Sequence, residues 1–133
     1  MFKARTLSIS INRPYSEAYD FLKKPENFTQ WADGLGKIEK AENGIWLAHT
    51  PDGALHVRFS EPNDFGILDH TVITPDGQQI YIPLRVIKNG EGVEVIFTLY
   101  HLLNMTFDKY EQDIKWVEKD LLALKTLLED KTA

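Results

Sequence analysis

The chain has 133 residues, a formal net charge of −5 and no cysteine, and 43% of its residues are hydrophobic. This length fits one domain over residues 1–133, with no room for separate cofactor and substrate domains. The lack of cysteine excludes disulfide scaffolds, thiolate metal sites, thiol nucleophiles and iron–sulfur clusters. The acidic balance argues against a nucleic-acid partner, which would need a basic face. Fifteen aromatic residues supply more than enough apolar bulk for one core, and this surplus needs an explanation.

The sequence contains no segment that predicts export or membrane insertion. Residues 1–8 lack the continuous apolar stretch of a signal peptide. No stretch approaches the roughly 20 apolar residues that a bilayer span requires. We therefore expect a cytoplasmic protein with no membrane span.

The first 31 residues predict a strand followed by two short helices. Lys3 to Ile11 alternates between apolar and polar residues, which is typical of a half-buried strand. Pro14 suits the first position of a helix, and Pro25 ends that helix. A second helix is predicted from Pro25 to about Trp31, before glycines at positions 34 and 36.

Turn signals at regular intervals divide the middle of the chain into six strands. They are Asn43-Gly44, Asp52-Gly53, Pro62-Asn63-Asp64, Asp76-Gly77 and Asn89-Gly90. The predicted strands are 37–42, 45–50, 54–60, 66–74, 78–88 and 92–101. Short turns impose an antiparallel meander. With the first strand this predicts one seven-stranded sheet, which must curl and whose concave face must be covered.

The C-terminal segment is predicted to form one long amphipathic helix that covers the concave face of the sheet. Its apolar residues are spaced alternately by four and three: Tyr110, Ile114, Val117, Leu121, Leu124 and Leu128. Thr106 is the predicted N-cap. About 23 residues give a helix of roughly 34 Å, which can lie across several strands. The fold class is therefore α+β.

This order of elements, and three stretches of sequence, resemble the SRPBCC superfamily of START-like, birch-pollen-allergen-like and polyketide cyclase/dehydrase-like proteins. The stretches are Ile9–Leu22, Pro25–Trp31 and Trp116–Leu128. The resemblance implies the helix-grip fold, with a cavity between curved sheet and long helix that holds an apolar small molecule. The superfamily includes lipid carriers, hormone receptors, aromatase/cyclases and chaperone activators, so fold alone does not fix function. No cofactor is predicted.

The aromatic residues are the candidate ligand-binding set, because they come from nearly every predicted element. Under the cavity interpretation, several of them line a pocket with apolar bodies and a few polar tips. Under the alternative they fill the core, since native packing leaves few voids. The candidates are Trp31, Trp46, Phe59, Tyr81, Phe97, Tyr100, Phe107 and Trp116.

Asp69, His70 and Arg85 are the candidate catalytic residues, with Tyr81 as a fourth. They lie within apolar predicted strands, where a charge must be paired or face water. Neighbours along a strand point to opposite faces, so Asp69 and His70 cannot both enter the cavity. Either His70 lies inside as a general acid or base, or Asp69 and Arg85 pair on the convex face while His70 makes a structural hydrogen bond. We favour the second interpretation.

Other catalytic constellations are not predicted. His49, His56, His70 and His101 lie on different predicted strands without metal-ligand spacing, so no metal site is expected. The segment 34–36 lacks a nucleophile elbow or a phosphate loop. Asp113 and Asp120 lie about 10 Å apart along the helix and are interpreted as a solvated flank, with Trp116 as an edge contact.

Three functions remain open from the sequence. The leading hypothesis is a non-catalytic module that binds a lipid or a polyketide-like aromatic compound. The alternative is a cyclase/dehydratase-type enzyme that uses acid/base residues in the same cavity. The third is a protein-interaction role, which would need an exposed apolar patch. The predicted state is a monomer, or a homodimer formed through an exposed strand edge.

Overall fold

A computed structural model describes residues 1–33, 36–50 and 53–130. The elements in chain order are β1 Lys3–Ile11, α1 Tyr15–Leu22, a 3₁₀ helix Pro25–Gln30, β2 Lys37–Lys40, β3 Ile45–Thr50, β4 Gly53–Phe59, β5 His70–Ile73, β6 Gln79–Ile82, β7 Leu84–Asn89, β8 Gly92–His101 and α2 Phe107–Asp130. Within these ranges no helix is both long enough and apolar enough to cross a membrane.

The strands form two antiparallel sheets, so the prediction of one seven-stranded sheet was wrong. Strands β2 to β6 form a five-stranded meander in chain order. The other sheet has three strands in the order β1-β8-β7. The α+β class, the antiparallel pairing and the long C-terminal helix are confirmed.

Pro83 is the reason why the predicted strand 78–88 divides between the two sheets. Proline has no N–H group to donate to a ladder, and here it separates β6 from β7. The N–H of the next residue, Leu84, donates instead to the side chain of Asp69 at 2.9 Å. A side chain therefore takes the place of a backbone carbonyl where the sheets meet.

The predicted strand 66–74 is shortened as well, because regular strand geometry is limited to β5, His70–Ile73. Gly66 has a φ of 68°, and a Cβ at this position would collide with the carbonyl oxygen of Val86. Gly66 accepts the Val86 N–H at 3.0 Å, and Leu68 donates to the Leu84 carbonyl at 2.8 Å. These bonds keep the two sheets attached although the ladder is interrupted.

The helices agree with the prediction. α1 follows Pro14 and ends before Pro25, and the second short helix is a 3₁₀ helix. Thr106 Oγ1 accepts the backbone N–H of Lys109 at 3.1 Å, as expected for an N-cap at the start of α2. The turn at Asn43-Gly44 is confirmed by its two positive φ angles, whereas Asp52 and residues 34–35 lie outside the described residues.

The main core is built where α2 crosses the three-stranded sheet. α2 packs chiefly across β1 and β8. Its Leu121, Leu124 and Leu128 join apolar residues of α1, the 3₁₀ helix and the inner face of β1-β8-β7 in one cluster. We call this sheet together with α1 and α2 the gripped half.

The five-stranded sheet has a second, smaller apolar cluster, and we call this sheet the open half. Ala48, Val57 and Val72 are its buried residues. They are surrounded by apolar residues that are only partly buried: Ile38, Leu55, Phe59, Ile80 and Ile82. No described residue of α2 belongs to this cluster.

Candidate functional site

One face of the open half is mostly apolar, and we call it the inner face. Directly opposed residues of neighbouring antiparallel strands lie on the same side of a sheet. The opposed pairs Trp46–Val57, Ala48–Leu55, Val57–Val72 and Phe59–His70 therefore all lie on the inner face. Alternation along each strand produces this arrangement, because residues 55, 57 and 59 of β4 are apolar while 56 and 58 are His and Arg.

An aromatic cluster lies at one end of the inner face and joins it to the 3₁₀ helix. We define it as Phe28, Trp31, Trp46, Phe59 and His70. The ring of Phe28 lies 5.2 Å from Trp31, 5.0 Å from Phe59 and 5.6 Å from His70, measured between centroids. Phe59 also lies 6.5 Å from Trp46 in an edge-on arrangement. Phe59 packs against both apolar clusters, so this site borders both halves.

Trp31 brings a hydrogen-bond donor into the aromatic cluster. Trp31 comes directly after the 3₁₀ helix in the chain, and the residue is 4% exposed. Its indole Nε1 is buried and has no hydrogen-bond partner within the described chain. Buried side-chain polar groups are nearly always paired in native proteins, so this N–H is an exception that needs an explanation.

His70 brings an acceptor into the same cluster. It is 5% exposed and stands at the start of β5, and its Nδ1 lies 3.2 Å from the carbonyl oxygen of Leu68. Burial lowers the pKa of His70, although the Leu68 carbonyl and the Asp69 carboxylate act in the opposite direction. The ring is therefore neutral at physiological pH. Because a carbonyl only accepts, Nδ1 carries the proton and Nε2 keeps its lone pair.

Asp69 faces the opposite, convex side and is saturated by hydrogen bonds. Its Oδ1 accepts from Leu84 N–H at 2.9 Å and from Arg85 Nε at 3.1 Å. Its Oδ2 accepts from the second guanidinium nitrogen of Arg85 at 2.9 Å and from the hydroxyl of Tyr81. Burial alone would raise the pKa of Asp69, but these hydrogen bonds together outweigh burial and lower it. The carboxylate thus stays ionised and engaged.

The four catalytic candidates are therefore divided between two sides of the sheet. Asp69, Arg85 and Tyr81 form one network on the convex face, where Arg85 and Tyr81 are about half exposed. The hydrogen bond from Tyr81 to Asp69 raises the pKa of that phenol. His70 alone among them lies in the aromatic cluster of the inner face.

Comparison with known proteins identifies the fold. No family profile and no curated protein matches the sequence. The solved structure of XoxI from Bacillus cereus matches with a TM-score of 0.78 and 12% identity, covering 98% of each chain. The Zhui aromatase/cyclase from Streptomyces sp. R1128 matches with a TM-score of 0.75 and 11% identity, covering 100% of this chain and 97% of that one. The Aha1 dimer from Colwellia psychrerythraea has a TM-score of 0.72, 17% identity and 96% coverage of both.

The chain therefore shares the helix-grip fold with these structures. This confirms the fold that the sequence resemblance implies. At these identities the likeness extends to the fold alone.

Within the helix-grip fold, the eight aromatic candidates fall into four groups. Trp31, Trp46 and Phe59 belong to the aromatic cluster, and Phe97 packs against the core of the gripped half. Tyr81 and Tyr100 lie on the convex side, where Tyr100 is 6.1 Å from the ring of Phe2. Phe107 and Trp116 stand on α2 with more than a third of their surface exposed. The structure therefore brings together three of the eight.

Two residues near the site have roles that the sequence analysis did not predict. Phe28 touches three of the other four members of the aromatic cluster; its signal was an apolar residue three positions before Trp31 in a short helix. Asp120 of α2, interpreted as solvated flank, accepts the backbone N–H of Asp33 at 3.3 Å. Burial, with a contribution from the charge of Asp33, raises the pKa of Asp120 to about 6.

The described residues form two surface depressions. One of about 360 Å³ adjoins the inner face, and its walls are Thr29, Ala32, Asp33, Gly36, Lys37 and Ile38. The other, of about 540 Å³, lies beside the β7–β8 turn and is bordered by Asn12, Pro14, Tyr15, Lys88, Gly90, Glu91 and Gly92. The described residues also contain no cluster of three His, Asp or Glu side chains that could hold a metal ion.

Proposed function

We propose that this protein binds an apolar or aromatic small molecule, such as a lipid or a polyketide-like compound, against the inner face and the aromatic cluster. In this proposal the protein is a binding module and makes no covalent change to the molecule. The ligand completes the apolar contacts that the fold itself leaves incomplete.

The observation that carries this proposal is the incomplete burial of the inner face. Five apolar side chains surround its fully buried centre, and all five are only partly buried. The apolar stripe of α2 is directed mainly at the other sheet, where Leu121, Leu124 and Leu128 are almost fully buried. Apolar surface left partly in water gains free energy when a ligand covers it, at about 25 cal/mol for each Å².

The composition of the aromatic cluster supports a flat apolar ligand. Binding pockets for small molecules combine apolar and aromatic walls with a few polar groups that fix orientation. Here Trp46 and Phe59 supply the walls, and the neutral His70 and the indole N–H of Trp31 supply the polar groups. In this proposal the ligand reaches the inner face through the 360 Å³ depression beside Ile38, because Ile38 packs against the buried centre of that face.

The proposal is tested with a neutral fluorescent probe, N-phenyl-1-naphthylamine, and two substitutions on the same strand. Leu55→Glu puts a charge on the inner face, whereas His56→Glu puts the same charge on the exposed outer side of β4. We expect saturable probe binding by the parent protein, at least tenfold weaker binding by Leu55→Glu, and unchanged binding by His56→Glu. Circular dichroism checks that both variants are folded. Equal binding by the two variants, or no saturable binding by the parent, would contradict the proposal.

A catalytic function in the same place has one residue in its favour, which is His70. The buried ring with a free lone pair on Nε2 has the chemistry of a general base, and a structural neighbour is an aromatase/cyclase. This alternative is tested by the exchange of the acidic α-protons of 2-tetralone in D2O. Catalysed exchange that is lost in His70→Gln would favour the enzyme; exchange no faster than in buffer would exclude this chemistry for that ketone.

A further inference from the structure

We infer that the free edge of β1 is the surface through which two copies of this chain associate. In this dimer the two β1 strands pair antiparallel about a twofold axis at Thr6, so that the two three-stranded sheets become one continuous sheet. The inference goes beyond the proposed function, and its test needs no ligand.

The first support is the direction of the backbone groups of β1, which pairs with β8 alone among the described strands. Thr98 of β8 donates its N–H to the Pro83 carbonyl at 3.1 Å, so its backbone groups are directed away from β1. Thr6 lies directly opposite Thr98, so its own N–H and C=O are directed away from β8. Because this direction alternates along a strand, the backbone groups of Ala4, Thr6 and Ser8 all face the open edge.

The second support is that these groups are left without partners, whereas the next outward group is not. Among the described residues, no hydrogen bond is found to the outward backbone groups of Ala4, Thr6 or Ser8. The next outward carbonyl, that of Ser10, accepts the ammonium group of Lys125 at 2.7 Å. A pairing strand therefore meets a stretch of free donors and acceptors that is centred on Thr6.

Twofold symmetry converts this stretch into one register. Pairing about Thr6 places Thr6 opposite Thr6 of the second copy and Ala4 opposite Ser8, and each of these pairs exchanges two backbone hydrogen bonds. A register centred further along the strand brings in Ser10, whose carbonyl is already bound by α2. A register centred nearer the start leaves Ser8 opposite a residue that precedes β1.

The two ends of the edge carry opposite charges, and this favours a second copy as the partner. Lys3 and Arg5 are exposed at the start of β1. The carboxylates of Glu94 and Glu129 lie at the other end and outnumber the ammonium group of Lys125 beside them. Antiparallel pairing brings the basic end of each copy beside the acidic end of the other, so the charges of the two edges are complementary.

The corresponding edge of the open half lacks these properties. Its edge strand β2 has four residues, of which Lys37, Glu39 and Lys40 are charged. Short edge strands and charged side chains discourage pairing with another chain. β1 has nine residues, and its stretch from 6 to 11 carries no charge. Association is therefore expected at β1 and not at β2.

The test begins with the parent protein and one single-cysteine variant, since the chain has no cysteine of its own. Sedimentation equilibrium should show a reversible monomer–dimer equilibrium of the parent at micromolar concentrations. Directly opposed residues of a hydrogen-bonded pair have Cα atoms about 5.5 Å apart, a distance that a disulfide spans. With copper–phenanthroline as oxidant, Thr6→Cys should therefore form a covalent dimer. A parent that stays monomeric would overturn the inference.

Ser8→Cys and Ser10→Cys are the matched controls on the same strand. Neither should cross-link to itself, because in the proposed register each lies at least about 13 Å along the strand from its own counterpart. A mixture of Ala4→Cys and Ser8→Cys should instead give the mixed dimer, which mass spectrometry identifies when one variant is isotope-labelled. If either control cross-links to itself as fast as Thr6→Cys does, the inference is wrong.

Two further substitutions at the centre test the backbone itself. Thr6→Pro removes the N–H that the second copy would accept, whereas Thr6→Val keeps it, and both lose the hydroxyl contact with Thr98 at 2.9 Å. Since symmetry removes this hydrogen bond twice, dimerisation should weaken at least about tenfold in Thr6→Pro and change less than about twofold in Thr6→Val. Circular dichroism checks that both are folded. Equal dimerisation of the two folded variants would exclude pairing through this edge.

Discussion

The gripped half and the open half both present an apolar face to the interior, but they are covered differently. In the gripped half, α2 and α1 bury Ile11, Leu84, Val86, Val93 and Val95 almost completely, and Leu7, Ile9 and Phe97 are partly buried. In the open half, only Ala48, Val57 and Val72 reach that degree of burial, and their apolar neighbours remain partly exposed. The long helix therefore contributes its packing mainly to one sheet, and the ligand proposed above would contact the other.

The largest effect expected from this comparison is a difference in the cost of removing the same side chain from the two halves. Leu124→Ala in the gripped half opens a cavity at a residue that is 0% exposed, and should lower the free energy of unfolding by about 3 kcal/mol. Leu55→Ala on the partly buried inner face should cost only about 1 kcal/mol. Urea denaturation measures both variants. Equal costs would show that the open half is as tightly packed as the gripped half.

The junction between the two halves depends on Asp69, and its removal should have the next largest effect. Asp69→Ala leaves the Leu84 N–H without its acceptor at the point where Pro83 interrupts the ladder, and should cost about 2 kcal/mol. Arg85→Met is the matched control. It removes one exposed partner of Asp69 and should cost less than 1 kcal/mol. If both substitutions cost the same, the ion pair and not the backbone hydrogen bond joins the sheets.

The difference between the halves also marks where sequence reasoning succeeded. The period of α2, the proline at the start of α1 and the Asn-Gly turns are local signals, and each predicted its element correctly. The break at Pro83 was missed because apolar residues typical of a strand continue on both sides of it, from Ile80 to Ile87. Whether that break divides the sheet depends on Asp69, fourteen residues earlier in the chain, which supplies the replacement acceptor.

The same limit applies to the site. Sequence composition indicated aromatic walls, but it could not separate Trp46 and Phe59 on the inner face from Tyr81 and Tyr100 on the convex side. Strand alternation decides the side only when the register is known, and a one-residue shift reverses it. Phe28 and Asp120 act across elements that are distant in sequence, and no local pattern reports such contacts.

A smaller effect is expected at Asp120, where α2 meets the segment that follows Trp31. A carboxyl whose pKa is raised to about 6 by burial destabilises the folded state when ionised. The protonated carboxyl favours the folded state, and this contribution to the free energy of unfolding is complete below pH 3.8. It is lost as the pH rises through 6 and Asp120 ionises in the folded protein. Asp120→Asn should be about 1 kcal/mol more stable than the parent at pH 7.5, and the gain should disappear near pH 4. Thermal unfolding at both pH values measures the difference.

Asp120→Asn also removes one negative charge from an acidic protein, so a charge control is required. Glu118→Gln makes the same change in charge at an exposed position of α2. A comparable gain in Glu118→Gln would show that net charge, rather than the contact with Asp33, causes the effect. A gain that persists at pH 4 would show that protonation of Asp120 is not involved.

The smallest expected effect concerns the edge strand of the gripped half. β1 is an edge strand of its sheet. Lys125 Nζ donates to the Ser10 carbonyl at 2.7 Å, and Glu129 accepts the Asn12 N–H at 2.9 Å. α2 therefore also covers the end of this edge. Lys125→Met keeps most of the apolar stem and removes the charged donor, and should cost about 0.5 kcal/mol. Strand edges with free carbonyls pair readily with other chains. Light scattering should therefore show more self-association for Lys125→Met than for Lys115→Met, an exposed position on the same helix. Equal self-association would mean that the helix covers this edge without protecting it.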